Sequence, residues 1–319
     1  DSIKETTADA DALLYALGLG GQVGNSVVPR VIDRLSPPRD DPVTPEVGSR
    51  GNEGTSQLAL GVWPFDHEAP RRHFDAVCGL SRLLQRDDGT PNADMTLLAS
   101  NARLSEIGHV GNARAVHPAS EVGAGSKLYA DESAWINDVI ADAIRSVVGS
   151  AQTPDDTTPE TTSVTLPHRT DARHGTVGVA LEKPIELGLQ HVIRRAVENA
   201  FVPLDPATVE TAHVVVRAPD RRVEAGDVTE RDVREGFDAW SSGNDGSDPT
   251  GGATLSVVPG DGHTIDVLVF LGRFDLSPLL SNSWDAYETF KTGLINQSEE
   301  QGSDEPIARV RRPEGKLQA

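Results

Sequence analysis

Four short segments of this 319-residue chain hold residue types and spacings that chemistry requires. The first is Gly18-Leu19-Gly20-Gly21-Gln22-Val23-Gly24-Asn25-Ser26, a glycine turn between an apolar run (Leu13, Leu14, Leu17) and a helix expected to carry Pro29 in its first turn, followed by Ile32 and Leu35. Glycines let backbone N–H groups approach a phosphate closely, and the start of the next helix adds partial positive charge. The second segment, Trp63 to Ala76, reads as a strand end, then acids, then the paired arginines Arg71 and Arg72 opening a helix. Arginines placed so can neutralise a polyphosphate, and Glu68 can accept from ribose hydroxyls; the plainer reading is solvated charge on a first turn. The third is Ser100-Asn101-Ala102-Arg103, a polar asparagine directly after a buried strand, where α/β folds place ligand contacts. The fourth is Ala130-Asp131-Glu132 at the head of a long helix, where an acid serves equally as an N-cap. No GxxxxGK occurs, which excludes a P-loop NTPase signature.

Two further groupings read as structure. His168, Asp171 and His174 form HxxDxxH, but Pro167 and Gly175 break the helix that a metal site would need, so no metal centre is expected. His67 and His73 lack a third ligand at useful spacing. Cys78, the single cysteine, excludes an internal disulfide, fits a reducing compartment and is read as buried filler in a helix.

The elements that must position these segments follow from periodicity. Leu58 to Val62 and Met95 to Ala99 read as short buried strands, and Phe74 to Leu84 as a helix through Val77, Leu80, Leu83 and Leu84. Strands alternating with helices point to a parallel α/β layout. From Asp131, apolar pairs recur every four residues (Trp135/Ile136, Val139/Ile140, Ala143/Ile144, Val147/Val148), predicting a long helix with one wide apolar face. The second half reads as α+β: a strand (Thr176 to Leu181), a helix through Ile185, Leu189, Val192, Ile193, Ala196 and Val197, a strand (His213 to Val216) and a helix (Thr229 to Trp240). Two strands, Thr254 to Val258 and Thr264 to Leu271, are expected to form a hairpin around Pro259-Gly260-Asp261-Gly262. A helix from Ser283 to Ile295 and a disordered tail from Ser298 to Ala319 close the chain.

Composition sets the surroundings. A formal net charge of −20, with 24 Arg, 5 Lys, 29 Asp and 20 Glu, rules against a general binder of nucleic-acid polymers. Excess acid and scarce lysine suit a cytoplasmic protein adapted to high salt, where screening relieves repulsion between carboxylates. No apolar run approaches the roughly 18 residues that span a bilayer. The only methionine is Met95, so Asp1 is not a translational start and the chain is expected to be trimmed or a fragment.

Taken in order, the four segments resemble the signature of the tubulin/FtsZ superfamily of GTP-dependent filament proteins, in its prokaryotic FtsZ-like branch. That family carries a GGGTGSG phosphate loop, a strand ending in PFxFEGxxR, a strand ending in N-x-x-L, and F-x-x-A-D/N heading a central helix. Here these stand as GGQVGNS (Gly20 to Ser26), PFDHEAPRR (Pro64 to Arg72), NARL (Asn101 to Leu104) and KLYAD (Lys127 to Asp131). The resemblance covers about residues 10 to 275. It implies an α/β fold with a parallel-sheet, Rossmann-like GTPase domain over 1–130, a central helix over 131–150, a second α+β domain over 151–276, and an extension with a disordered tail over 277–319.

The resemblance also implies roles. Gly20, Gly21, Gln22, Val23, Gly24 and Asn25 would surround the phosphates of GTP with its Mg2+, Glu68 would meet the ribose, Arg72 the terminal phosphate, and Asn101 and Asp131 the guanine. Gln22, Val23 and Ser26 depart from the family's Gly, Thr and Gly, and Lys127 stands where an aromatic stacks on the base. The family's upstream glycine-rich motif has no counterpart before Asp1: either trimming removed it or the protein never had it. Hydrolysis in the family needs an N-x-D-x-x-D loop that reaches the neighbouring subunit's GTP. The best placement puts Asp155 at the Asn, Thr157 at the first acid and Glu160 at the second, leaving Asp155 and Glu160 as candidate catalytic residues. Losing one water-orienting acid slows turnover by about 10²–10⁴-fold. The implied function is a GTP-binding cytoskeletal protein of cell division or cell shape. It would stack head to tail with itself or related subunits and hydrolyse slowly or not at all. The alternative is a non-enzymatic, degenerate paralogue that regulates or joins such filaments. An unrelated two-domain enzyme finds no nucleophile and base in the sequence.

Overall fold

The computed structural model describes residues 12–35, 56–86, 91–110, 132–150, 174–182, 188–243, 249–258, 265–301, 310, 313–314 and 317. Asp131, Asp155 and Glu160 lie outside them, as do the linking Pro259 to Gly262 and the pair His168 and Asp171. In chain order the elements are β1 (Ala12–Gly18), α1 (Gln22–Leu35), β2 (Ser56–Trp63), α2 (Pro70–Leu84), β3 (Met95–Ser100), α3 (Asn101–Val110) and α4 (Glu132–Ser150). There follow β4 (His174–Glu182), α5 (Leu189–Glu198), β5 (Thr211–Pro219), α6 (Asp220–Glu224), α7 (Glu230–Ser242), β6 (Thr250–Val258), β7 (Ile265–Gly272) and α8 (Ser277–Gln301). The chain divides into two compact units, Asp1–Leu97 with Asn282–Ala319, and Leu98–Ser281.

In the first unit, β1 and β2 pair in parallel from Ala12↔Ser56 to Gly18↔Val62, and β2 lies between β1 and β3. Leu58, Ala59, Leu60 and Trp63 are all buried, the near-continuous apolar pattern of a strand covered on both faces. α2 opens with Pro70 in its first turn, where a missing N–H costs nothing. Its buried stripe runs through Phe74, Val77, Leu80, Leu83 and Leu84 at helical spacing. Cys78 is buried in that stripe, and burial pushes its thiol up to about 12, so it packs as a small apolar side chain. α1 differs from the sequence expectation. It begins at Gln22 and carries Pro29 in its interior rather than in its first turn. Pro29 has no N–H to return to the Asn25 carbonyl, and the Asn25 side chain, not proline, fixes the helix start.

Several described residues near the C-terminus of this unit are packed where composition suggests disorder. α8 extends well past the expected Ile295. Ser283, fully buried, takes the indole N–H of Trp63 at 3.1 Å and lies 2.8 Å from Nδ1 of His73. Tyr287 stacks on Phe74 with ring centroids 6.0 Å apart. Residues expected to be disordered return to this surface: the Tyr287 hydroxyl donates to the Val310 carbonyl at 2.6 Å, Lys291 pairs with Glu314, and Val310 and Leu317 are buried. Low overall hydropathy hid these few anchors.

The second unit is α+β. Its strands run β4-β7-β5-β6; β7 is antiparallel to both β4 and β5, whereas β5 and β6 are parallel. The expected β6–β7 hairpin does not form, because β5 lies between the two strands. The reason is burial: β7 (IDVLVFLG) is buried at all but one position and β5 carries three consecutive valines, so both take interior places. Mixed-polarity β6 is left at the edge. Gly178 in β4 permits a close approach, since a Cβ there would lie 2.0 Å from the Ala196 carbonyl. α7 opens with a capping box in which Thr229 and Asp232 each bond the other's backbone N–H. The α4 pairs Trp135/Ile136 and Val139/Ile140 are buried together with Ala143, as the four-residue recurrence predicts.

Candidate functional site

The glycine turn of the first unit is built from beneath. Leu19 donates to the Val62 carbonyl at 2.8 Å and Gly21 to the Gly18 carbonyl at 3.0 Å, so the chain leaves β1 and turns at once into α1. Asn25 reaches back under this turn. Its amide Nδ2 donates to the Leu19 carbonyl at 2.5 Å and to the Asp75 carbonyl at 2.9 Å, tying the turn to α2. Asn25 is buried, and among the described residues its Oδ1 has no hydrogen-bond partner. The space comes from Gly79 on α2, where a Cβ would stand 2.4 to 2.6 Å from all three outer atoms of the Asn25 amide. Asn25, expected at a phosphate, is therefore placed beneath the turn as its brace.

The glycines themselves serve close packing. A Cβ on Gly20 would lie 3.2 Å from Cβ of Arg72, one on Gly21 would lie 3.2 Å from the Gly18 carbonyl, and one on Gly24 would lie 3.2 Å from Cβ of Leu17. The inner side of the turn is filled by protein, and its outer side is lined by the exposed Gln22 and Val23. Val23 is 78% exposed, and Gln22 spans 3.4 Å to Asp75. The first N–H groups of α1 have no intrahelical acceptor.

The second turn, between β2 and α2, closes on itself. Glu68 accepts the Phe65 N–H at 2.9 Å through one carboxylate oxygen, and its other oxygen lies 3.2 Å from Nε of Arg72. Its own N–H donates to the Phe65 carbonyl at 3.0 Å. Arg72 thus touches Gly20 through its aliphatic stem while its side chain stays 59% exposed. Arg71 is diverted: it pairs with Asp75 at 3.3 Å and lies 5.1 Å from the Phe74 ring centroid. Gly20, Glu68 and Arg72 therefore sit together. An anion at the start of α1 would meet backbone N–H groups and the exposed guanidinium end of Arg72, which suits phosphate. A ribose would find Glu68 already engaged on both oxygens.

Asn101 belongs to the second unit and is the first residue of α3. Beside it the Ser100 hydroxyl accepts the Arg103 N–H at 3.3 Å, and Arg103 binds Glu106 and the Glu198 carbonyl, fixing α3 against the end of α5. Of the histidine motif, His174 opens β4 with Nε2 2.8 Å from the Phe274 carbonyl, and burial lowers its pKa. Among the described residues no group of His, Cys, Asp or Glu is arranged to hold a metal ion. Sequence reasoning missed Gly79 and Asp75. A glycine in the middle of a helical apolar stripe was the available signal, since such a glycine marks close packing.

Neither a family model nor a curated protein matches the chain by sequence. Known structures do. CetZ2 from Haloferax volcanii, solved as a GTPγS-bound protofilament, aligns with a TM-score of 0.62 at 18% identity, covering 92% of this chain and 75% of that one. The chain has the tubulin/FtsZ fold. An empty FtsZ dimer from M. jannaschii aligns at TM-score 0.56 and 19% identity, over 85% of this chain and 66% of that one. TubZ of Bacillus thuringiensis serovar israelensis, as GDP-form protofilaments, aligns at 0.58 and 14% identity, over 94% and 74%. Among the described residues no helix is long and apolar enough to cross a membrane.

Proposed function

We propose that this chain is a tubulin/FtsZ-type assembly subunit that holds the phosphates of GTP, with accompanying Mg2+, at the Gly20–Gly24 turn and hydrolyses it slowly or not at all. The observation that carries this reading is Arg72 packed on Gly20 at the start of α1 with its guanidinium end exposed. Backbone N–H groups of Gln22, Val23 and Gly24 and the Arg72 terminus would bind the anion, Glu68 would hold Arg72 in place, and Asn101 and Asp131 would meet the base. Asp155 and Glu160 would supply what remains of the hydrolytic loop. Head-to-tail stacking is a heterologous contact that propagates into filaments, and the reading places the protein in the cytoplasm, in division or shape, at high salt.

The test is a GTP titration of the full chain with Mg2+ in high salt, beside Arg72→Ala, with pelleting assays for assembly. Binding that weakens in Arg72→Ala supports the reading; no binding in the unaltered chain overturns it. A specific observation favours the second reading, a non-enzymatic subunit of related filaments. The exposed Val23 side chain and the Glu68–Arg72 pair occupy the outer face where a nucleotide would lie. Under that reading the chain pellets only with a partner filament and GTP leaves it unchanged.

A further inference from the structure

We infer that the aromatic face of α2 and α8 in the first unit is a peptide-docking site whose resident ligand is this chain's own C-terminal segment, seated through Val310, Pro313, Glu314 and Leu317. The inference is independent of nucleotide binding. Three kinds of recognition converge there. The fully buried Tyr287 offers its hydroxyl to a main-chain carbonyl, that of Val310, at 2.6 Å. Lys291 meets a carboxylate, that of Glu314, from a position already beside Glu288 at 2.5 Å. Apolar anchors flank these polar contacts, since Val310 and Leu317 are both buried, and the Leu317 N–H donates to the Pro313 carbonyl at 2.9 Å.

The arrangement reads a pattern: an apolar residue, then Pro-Glu three and four positions on, then a second apolar residue. The Leu317-to-Pro313 bond is an i→i−4 helical one, and the spacing of Val310, Pro313, Glu314 and Leu317 puts them on one helical face, the pattern by which a short helix is recognised on a partly apolar surface. The residues that meet the tail are also held by contacts that do not involve it. Tyr287 is held by Phe74 and by Trp284, whose ring lies 4.9 Å away, and Ser283 bonds to Trp63 and His73. Burial alone would lower the Lys291 pKa, but its hydrogen bonds to Glu288 and Glu314 outweigh this and keep the ammonium charged.

Charge makes the contact selective. The chain has 5 lysines in a net charge of −20, and one of them is committed to this pair with a side chain only 13% exposed. The tail carries Arg309, Arg311, Arg312 and Lys316 around its single acid in this stretch, Glu314. A basic segment on an acidic protein is held more tightly at low salt. A partner segment with the same pattern of apolar residue, Pro-Glu and apolar residue would compete for the cleft and displace the tail, so that the site is open only when the tail is released.

The experiment uses the full chain and a fluorescent synthetic peptide spanning residues 306 to 319. In the unaltered protein the tail occupies the cleft and the peptide binds weakly. Leu317→Asp and, separately, Glu314→Lys release the tail, and the peptide then binds about tenfold or more tighter, because apparent affinity scales with the open fraction. Lys291→Glu abolishes that gain, and a peptide carrying Glu314→Lys restores binding to the Lys291→Glu protein. Circular dichroism checks folding; if Leu317→Asp fails to fold, Glu314→Lys, at a half-exposed position, carries the test. Equal peptide affinity for folded variant and unaltered protein, or no binding to either, overturns the inference. Tail occupancy that rises with protein concentration assigns the tail to a second copy and overturns the assignment within one chain.

Discussion

The two strand-to-helix turns of the first unit solve one problem in opposite ways. Both leave the end of a parallel strand and open a helix. The β1–α1 turn is closed from below by Asn25, a buried side chain whose amide binds Leu19 and Asp75 carbonyls. The β2–α2 turn is closed at the surface by Glu68, which takes the Phe65 N–H and pairs with Arg72. Bracing from beneath leaves the outer N–H groups of α1 for a ligand. Bracing from the surface consumes the carboxylate that a ligand would otherwise meet. Under the proposed function the first turn would bind the phosphates and the second would supply Arg72.

The largest expected effect tests the brace. Gly79→Ala gains helix propensity of about 0.5–1 kcal/mol, but its Cβ would stand 2.4 Å from Asn25 Oδ1. Displacing a buried, doubly bonded amide costs about 2–4 kcal/mol, by overpacking and lost hydrogen bonds together. Urea denaturation should show the net loss. Asn25→Ala alone costs about 1–3 kcal/mol. In the Asn25→Ala background, Gly79→Ala should become neutral or stabilising, because the clash partner is gone. Additive losses would show that the two residues do not act as one brace.

Next comes the ligand arm. Arg72→Glu should leave stability within about 0.5 kcal/mol, since an exposed i,i+4 pair contributes little. Its effect on GTP affinity should be far larger, a fall of about ten- to a hundredfold, the scale of one charged hydrogen bond. The same substitution at Arg71, which is turned toward Asp75 and Phe74, should change affinity less. Equal effects at both arginines would reduce the contribution of Arg72 to general charge.

How far these roles were legible in the sequence depends on the physical source of each. Strand and helix cores were legible: Met95 to Ser100 is buried at every position, as a continuous apolar run demands, and the paired apolar positions of α4 gave its face. The order of motifs pointed to the tubulin/FtsZ fold that the structural comparisons bear out. What failed were pairings decided by competition between strands. The Pro259 to Gly262 turn signal is local, whereas the place of β7 between β4 and β5 is set by burial across the whole sheet. Within the tail, the anchoring of Val310, Glu314 and Leu317 against Tyr287, Lys291 and the core is invisible to average composition. In the site, Gly20 and Arg72 stood out by type, but the inward role of Asn25 did not, since an asparagine in a glycine turn looks the same whether it faces ligand or core.

The smallest effect separates the two turns most sharply, because it has opposite signs under the two views of Glu68. Glu68→Gln keeps an oxygen to accept the Phe65 N–H and removes the charge that faces Nε of Arg72. Stability should fall by less than about 1 kcal/mol. If Glu68 only braces Arg72, removing a negative charge beside the anion site strengthens GTP binding by about two- to fivefold in low salt, and the gain shrinks as salt screens it. If Glu68 instead leaves Arg72 to accept ribose hydroxyls, the same variant weakens binding, and deoxy-GTP then loses less affinity on mutation than GTP does. Titrating both nucleotides against the unaltered and Glu68→Gln proteins at two salt concentrations decides between them, and the geometry, with both Glu68 oxygens engaged, predicts the strengthening.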